Sequence, residues 1–177
     1  MKIILIGIQG SGKSTQGKLL AAKFGVPYLS TGDIFRSLAQ EDSDNGRHIQ
    51  QLMTAGILIP DTEVIPLIQT YLSKDDLKQG YILDGFPRTL AQAQAFTQTI
   101  DHVVYLHLSD DEALRRIASR TDARDDETEV AIKKRIELFH AQTKPVIEYY
   151  RSKDLLVEVD GEQGRQAVFV DIIKSLA

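Results

Sequence analysis

Cysteine is absent from this chain of 177 residues, which excludes disulfides, thiolate metal sites and cysteine nucleophiles. A basic excess is absent too. The net charge is -4 at pH 7, which argues against general nucleic-acid binding. No apolar run approaches the ~20 residues that span a bilayer. Lys2 and a short apolar run open the chain, but glycines and polar residues follow at once, without a signal-peptide cleavage pattern. A cytoplasmic location is therefore expected, with no membrane and no nucleic-acid partner. Internal repeats, low-complexity tracts and linkers are also missing. Apolar residues make up 42% and charged residues 26%, an ordinary globular balance for one domain with room for a small insertion.

Short apolar runs alternate with amphipathic ones. Strands are expected at Lys2–Ile6, Val26–Leu29, Tyr81–Asp84, His102–Leu108 and Leu155–Val159. Helices are expected at Lys13–Phe24, from Ser30 or Thr31 through Leu38, and at His48–Ala55. Further helices are expected from Asp61 or Thr62 to Leu72, and at Thr89–Ile100 and Arg165–Leu176. Ser109 with Glu112 reads as a capping box opening another. Thr128–Tyr150 has helical spacing that Pro145 should kink or divide. The acidic stretches Glu41–Asn45 and Asp122–Glu129 read as turns. Alternating strands and helices imply an α/β fold with a parallel sheet.

Gly7-Ile8-Gln9-Gly10-Ser11-Gly12-Lys13-Ser14 fits the phosphate-loop pattern G-x-x-x-x-G-K-[ST]. A chance match in a chain this long has a probability on the order of one per cent. The context agrees, since a strand precedes the match and a helix follows it. Glycines at 7, 10 and 12 let backbone N–H groups converge on phosphate oxygens, and the helix N-terminus adds partial positive charge. Lys13 is expected on the β- and γ-phosphates and Ser14 at a Mg²⁺ ion bound with the nucleotide. Asp84 ends a strand where a second carboxylate near Mg²⁺ belongs, acting through water.

Three further strings narrow the substrate: Leu29-Ser30-Thr31-Gly32-Asp33-Ile34-Phe35-Arg36, Gly56-Ile57-Leu58-Ile59-Pro60-Asp61, and Asp84-Gly85-Phe86-Pro87-Arg88-Thr89 followed by Gln92. With these the chain resembles, over nearly its whole length, the nucleoside monophosphate kinases, and within them the adenylate kinases. The resemblance implies a P-loop NTPase three-layer fold with a five-stranded parallel sheet flanked by helices. The core would comprise residues 1–29, 62–116 and 125–177, with a helical monophosphate-binding insertion at 30–61 and a short lid at 117–124. It implies reversible phosphoryl transfer from Mg·ATP to AMP by a monomer.

The residue roles follow from the same resemblance. Gly10, Ser11, Gly12, Lys13, Ser14, Thr15, Arg116, Arg120 and Gln163 would bind ATP, with a loop near Gly161 over its adenine. Thr31, Gly32, Arg36, Ile57, Ile59, Gly85, Phe86, Arg88, Gln92, Arg124 and Arg135 would bind AMP. Lys13, Arg88, Arg120, Arg124 and Arg135 would stabilise the transferring group. A guanidinium fork suits phosphate bidentately, which supports Arg36. Gln92 has two readings, a contact to the adenine edge and a capping box with Thr89. Thr31 and Gln92 look like the AMP type rather than the UMP/CMP type.

Only three residues separate Arg120 from Arg124, so the lid is the short form, and without cysteine it holds no zinc. The family usually has Pro where Gln9 stands and Gly where Ser14 stands. The four histidines, His48, His102, His107 and His140, are scattered and expected to be structural or solvated. A UMP/CMP kinase, another small-molecule kinase such as one for shikimate, and a regulatory ATP/AMP-binding module remain as alternatives.

Overall fold

In the computed structural model, residues 1–119 and 128–176 are described. Five strands, β1 (Lys2–Ile6), β2 (Tyr28–Ser30), β3 (Tyr81–Asp84), β4 (His102–His107) and β5 (Leu156–Asp160), form one sheet in the order β2-β3-β1-β4-β5. Every pairing is parallel, with Ile4 opposite Leu83 on one side and Val103 on the other. Both faces are covered, as parallel sheets require.

The strand period of two decides which side chain enters which layer. Ile3 and Leu5 face a cluster with Ile82, Val104 and Leu106. Helices α1 (Lys13–Phe24) and α9 (Arg165–Ser175) close that side through Leu20, Val168 and Ile172. Ile4, Ile6, Leu83 and Val103 face the opposite layer. There they meet α4 (Asp61–Leu72), α5 (Leu90–Ala95), α7 (Glu129–Leu138) and α8 (Lys144–Arg151) through residues such as Ile68, Ala93, Ile136 and Val146. Helices α2 (Thr31–Ala39) and α3 (Asp44–Thr54) follow β2 and pack on each other, and α6 (Asp110–Ala118) follows β4. Among the described residues no helix is long and apolar enough to cross a membrane.

Several expected boundaries moved, each for a local reason. β2 begins at Tyr28 rather than Val26, because Pro27 has no N–H to give the ladder, although its carbonyl accepts from Ile82 N at 2.9 Å. α3 begins at Asp44, inside the expected acidic turn, because Ser43 caps it and accepts from Gly46 N at 3.0 Å. Pro60, not Asp61 or Thr62, occupies the N-cap of α4. α5 stops at Ala95 instead of Ile100. Phe96 is extended there and lays its ring 5.7 Å from that of Phe86, and Ile100 packs against the same core.

The Ser109–Glu112 capping box does not form. Ser109 Oγ donates instead to Glu162 Oε1 at 2.6 Å, and Glu112 pairs with Arg115 and Arg116. Glu129 belongs to α7, which Thr128 caps by accepting from Ala131 N at 3.1 Å. Residues 122–127 of the expected turn lie outside the described residues. Pro145 does divide the long helix: a π-helical turn over Phe139–Thr143 separates α7 from α8, and the proline sits in the first turn of α8.

Candidate active site

The C-terminal ends of β1, β2 and β3 open into a cleft of about 520 Å³, within the usual range for a small-molecule site. The phosphate loop forms its floor. Gly10 and Gly12 have φ of 92° and 91°, the left-handed region that glycine enters without strain. At Gly10 a Cβ would also lie 3.0 Å from Ala113 O, so α6 packs directly on the loop. The loop turns on a bond from Ser11 N to Ile8 O of 3.1 Å, and α1 takes its first internal bond from Gln16 N to Gly12 O at 2.9 Å. The N–H groups of its first turn therefore point out of the helix end, toward the cleft. Lys13 Nζ curls over the loop and donates to Gly7 O at 2.7 Å and Ile8 O at 3.0 Å.

Charge is segregated in the cleft. Lys13, Lys18, Arg36, Arg88 and Arg135 line it, and Asp84 is the acidic residue among them. A chain of net charge -4 thus presents a local basic focus, suited to a polyanion.

Asp84, only 5% exposed, accepts from Tyr28 Oη at 2.7 Å and Ser14 Oγ at 3.3 Å, both on Oδ2. Burial, and then the charge of Asp84, push the Tyr28 phenol well above its ordinary range. It remains a protonated donor at neutral pH. The carboxylate and the Ser14 hydroxyl are hard oxygen donors beside the phosphate loop, the ligand chemistry that Mg²⁺ takes. Among the described residues no group of three or more His, Cys, Asp or Glu side chains forms a metal cage. The donor set therefore fits an ion completed by phosphate and water.

The turn after β3 aims Arg88. Its peptide bond between Phe86 and Pro87 is cis. Arg88 is held three ways: Nε donates to Gly85 O at 2.7 Å, its N–H to Gln92 Oε1 at 2.7 Å, and its carbonyl accepts from Thr143 Oγ1 at 2.9 Å. Gln92 bears out the capping-box reading in part. Thr89 Oγ1 accepts from Gln92 N at 3.1 Å, which is half of a capping box. Its amide does not close the box onto Thr89 N but donates to Asp61 Oδ1 at 2.6 Å. Thr89 Oγ1 donates to the other Asp61 oxygen at 3.0 Å.

Arg36 pairs with Asp33 one helical turn away. Thr31 is buried and donates to Asp84 O at 3.2 Å. Arg135 donates to Met53 O at 3.0 Å and reaches Gln9 Oε1 at 3.5 Å.

The residues expected to contact nucleotide thus fall into groups. Gly10, Gly12, Lys13, Ser14, Thr15, Thr31, Gly32, Arg36, Ile57, Ile59, Gly85, Arg88, Gln92 and Arg135 line the one cleft. Phe86 stands behind its wall, 2% exposed, and Ser11 is buried, its hydroxyl without a partner among the described residues. Arg116 and Gln163 lie away from that lining but close to each other in the fold. Arg116 Nη2 donates to Glu162 O at 3.1 Å, and Gln163 Nε2 to Asp160 O at 3.2 Å and Asp171 Oδ2 at 3.0 Å. Gly161 N donates to His107 O at 2.8 Å, which draws this loop to the end of β4. Arg120 and Arg124, with most of the expected lid, lie outside the described residues. None of the four histidines lines the cleft; His140 pairs with Asp110 at 2.8 Å and His48 with Glu63 at 3.5 Å.

Sequence reasoning missed Tyr28, Thr143 and the role of Asp61 in tying Gln92. Their partners lie 56, 55 and 31 positions away, beyond any motif spacing.

The adenylate kinase family model matches residues 5–155. This chain belongs to the adenylate kinase family. An adenylate kinase of Caldicellulosiruptor saccharolyticus is 34% identical over 212 aligned positions covering 99% of each chain. Those of Syntrophotalea carbinolica and Brevibacillus brevis are 36% and 35% identical, again over 99% of this chain and 98% and 99% of theirs. The alignments are longer than this chain of 177 residues, so these relatives carry segments that it lacks.

Proposed function

We propose that this enzyme transfers the γ-phosphoryl group of Mg·ATP to AMP, reversibly, to give two ADP. The observation that carries the reading is the single cleft in which the phosphate loop and the turn after β3 face Thr31, Arg36 and Arg135. One chain supplies the loop for a triphosphate and a second set of cations for a monophosphate, which also supports a monomer. A cytoplasmic location goes with these substrates.

The chemistry needs positioning and charge stabilisation more than proton transfer. The attacking AMP oxygen is already anionic, so no general base is required, in keeping with a cleft free of histidine. Lys13 and the loop N–H groups hold the β- and γ-phosphates. Arg88 and Arg135 bridge toward the phosphate of AMP, and Arg36 holds that phosphate from the other side. Arg120 and Arg124 would complete the cluster from the lid. Ser14 and, through water, Asp84 would hold Mg²⁺, which when bound would neutralise phosphate charge.

Thr31 and Gln92 select adenine. The Gln92 amide has a second N–H and a second lone pair beyond its bonds to Asp61 and Arg88. A base whose edge leaves those groups unpaired is disfavoured. Arg116 and the loop at 161–163 flank the ATP adenine. The proposed division is a core of residues 1–29, 62–116 and 125–177, a monophosphate-binding insertion at 30–61 and a short lid at 117–124. Longer relatives support a lid shortened here. Closure over both nucleotides excludes water and suppresses hydrolysis.

The test is a coupled assay of Mg·ATP against AMP, GMP, UMP and CMP. ADP formation with AMP, and little with the others, is expected. Preference for UMP or CMP would overturn the base assignment, and binding of both adenine nucleotides without turnover would favour a regulatory module.

A further inference from the structure

Helix α1 contains a glycine where its sequence has no evident need of one. Gly17 lies in the interior of the helix, among the poorest positions for that residue. The reason stands opposite it. A Cβ at Gly17 would lie 2.4 Å and 2.8 Å from Cε2 and Cδ2 of Tyr28, and 3.0 Å from Leu5 Cδ1. The helix gives up a side chain so that this ring can pass over it. The ring ends in a hydroxyl that donates to Asp84 Oδ2 at 2.7 Å, the shorter of the two bonds that oxygen accepts. Oδ1 of the same carboxylate accepts no hydrogen bond from any described residue, and Asp84 lines the cleft.

We propose that Tyr28 is a positioning residue for phosphoryl transfer: its hydroxyl holds Asp84 by Oδ2, which leaves Oδ1 for the hydration shell of the nucleotide's Mg²⁺. The inference rests on the reading of Asp84 given above. A phenol suits the task. It fixes the carboxylate through a rigid ring with two torsions, and it is neutral. A lysine or arginine in its place would hold Asp84 equally well but would cancel the charge that attracts the ion and repel the ion directly. Partners that orient a metal's ligands in this way commonly change metal affinity or activity by about 10–100-fold when removed.

Tyr28→Phe keeps the ring against Gly17 and removes only the hydroxyl. Calorimetric titration of Mg²⁺ into the enzyme loaded with a non-hydrolysable ATP analogue should show metal affinity weakened about tenfold. Affinity for the analogue in EDTA should be unchanged. At fixed, subsaturating Mg²⁺, kcat should fall while KM for AMP stays as it was. Unchanged metal affinity in Tyr28→Phe, with weakened affinity in Asp84→Asn, would overturn the role of Tyr28 alone. Unchanged affinity in both variants would overturn the reading of Asp84 as well. Gly17→Ala tests the packing half: it should lower Tm by more in the presence of Tyr28 than in a Tyr28→Ala background, where only the contact of the new Cβ with Leu5 Cδ1 at 3.0 Å remains. A rise in Tm with Tyr28 in place would contradict the proposal.

Discussion

Arg88, proposed to stabilise the transferring group, shows how the fold can hold one side chain in advance. Bonds to Gly85, Gln92 and Thr143 fix its backbone and its Nε, so the guanidinium stands on a rigid base. Preorganised donors of this kind are worth most at the transition state. Arg88→Ala should lower kcat by about 10²–10³-fold with the fold intact by circular dichroism; near-normal turnover would remove Arg88 from the mechanism. Asp61 acts one step further out, as the carboxylate that ties Thr89 and Gln92 together. Asp61→Ala should raise KM for AMP roughly tenfold, the cost of losing a charged hydrogen bond, and should loosen the preference for AMP over GMP; steady-state kinetics on both substrates would show it. Lys13 stood out because the phosphate-loop spacing has a mechanical reason, whereas Arg88 and Thr31 stood out through strings that resemble the family's. Asp61 did not, since nothing local marks a carboxylate whose partner is 31 residues away. The same holds for the contact of Gln9 with Arg135, which spans 126 positions.

Helix α6 carries charge in a way that makes its acid response specific. Hydrogen bonds from Arg115 and then Arg116 hold the Glu112 carboxyl at about 2, against an ordinary value of 4.5. The folded-state value lies below the unfolded one, so the contribution to stability is complete above about 4.5 and is lost as pH falls toward 2. Glu112→Gln should therefore lower Tm near neutrality, with a deficit that shrinks between pH 4.5 and 2; a constant deficit would contradict the pairing. Helix α9 is different in kind, because it meets the sheet through apolar contact. Ile172 is fully buried there, and Gln16 of α1 donates to Arg165 O at 2.9 Å. Ile172→Ala should cost about 2–5 kcal/mol in denaturant unfolding while kcat of the folded enzyme is unchanged. At this scale the sequence was readable where periodicity ran long, as in α1, whose limits were expected without error. It failed where tertiary contacts outbid local signals: Phe96 left its helix to reach the core, and Ser109 took Glu162 in place of Glu112.

Across the whole molecule, alternation of strands and helices announced a parallel sheet, but not the order β2-β3-β1-β4-β5. That order puts β1, with the phosphate loop at its end, beside β3, which ends in Asp84 and leads to Arg88. The segments proposed to serve donor and acceptor, separated by some seventy residues between Ser14 and Asp84, meet because of it. The proposed two-nucleotide cleft is thus a property of the topology as much as of the motifs. Its most direct test is to supply ADP and Mg²⁺ alone and follow the phosphorus resonances by NMR. The account predicts ATP and AMP appearing in equal amounts until equilibrium, with no inorganic phosphate. Release of phosphate from ADP, or no conversion at all, would contradict it.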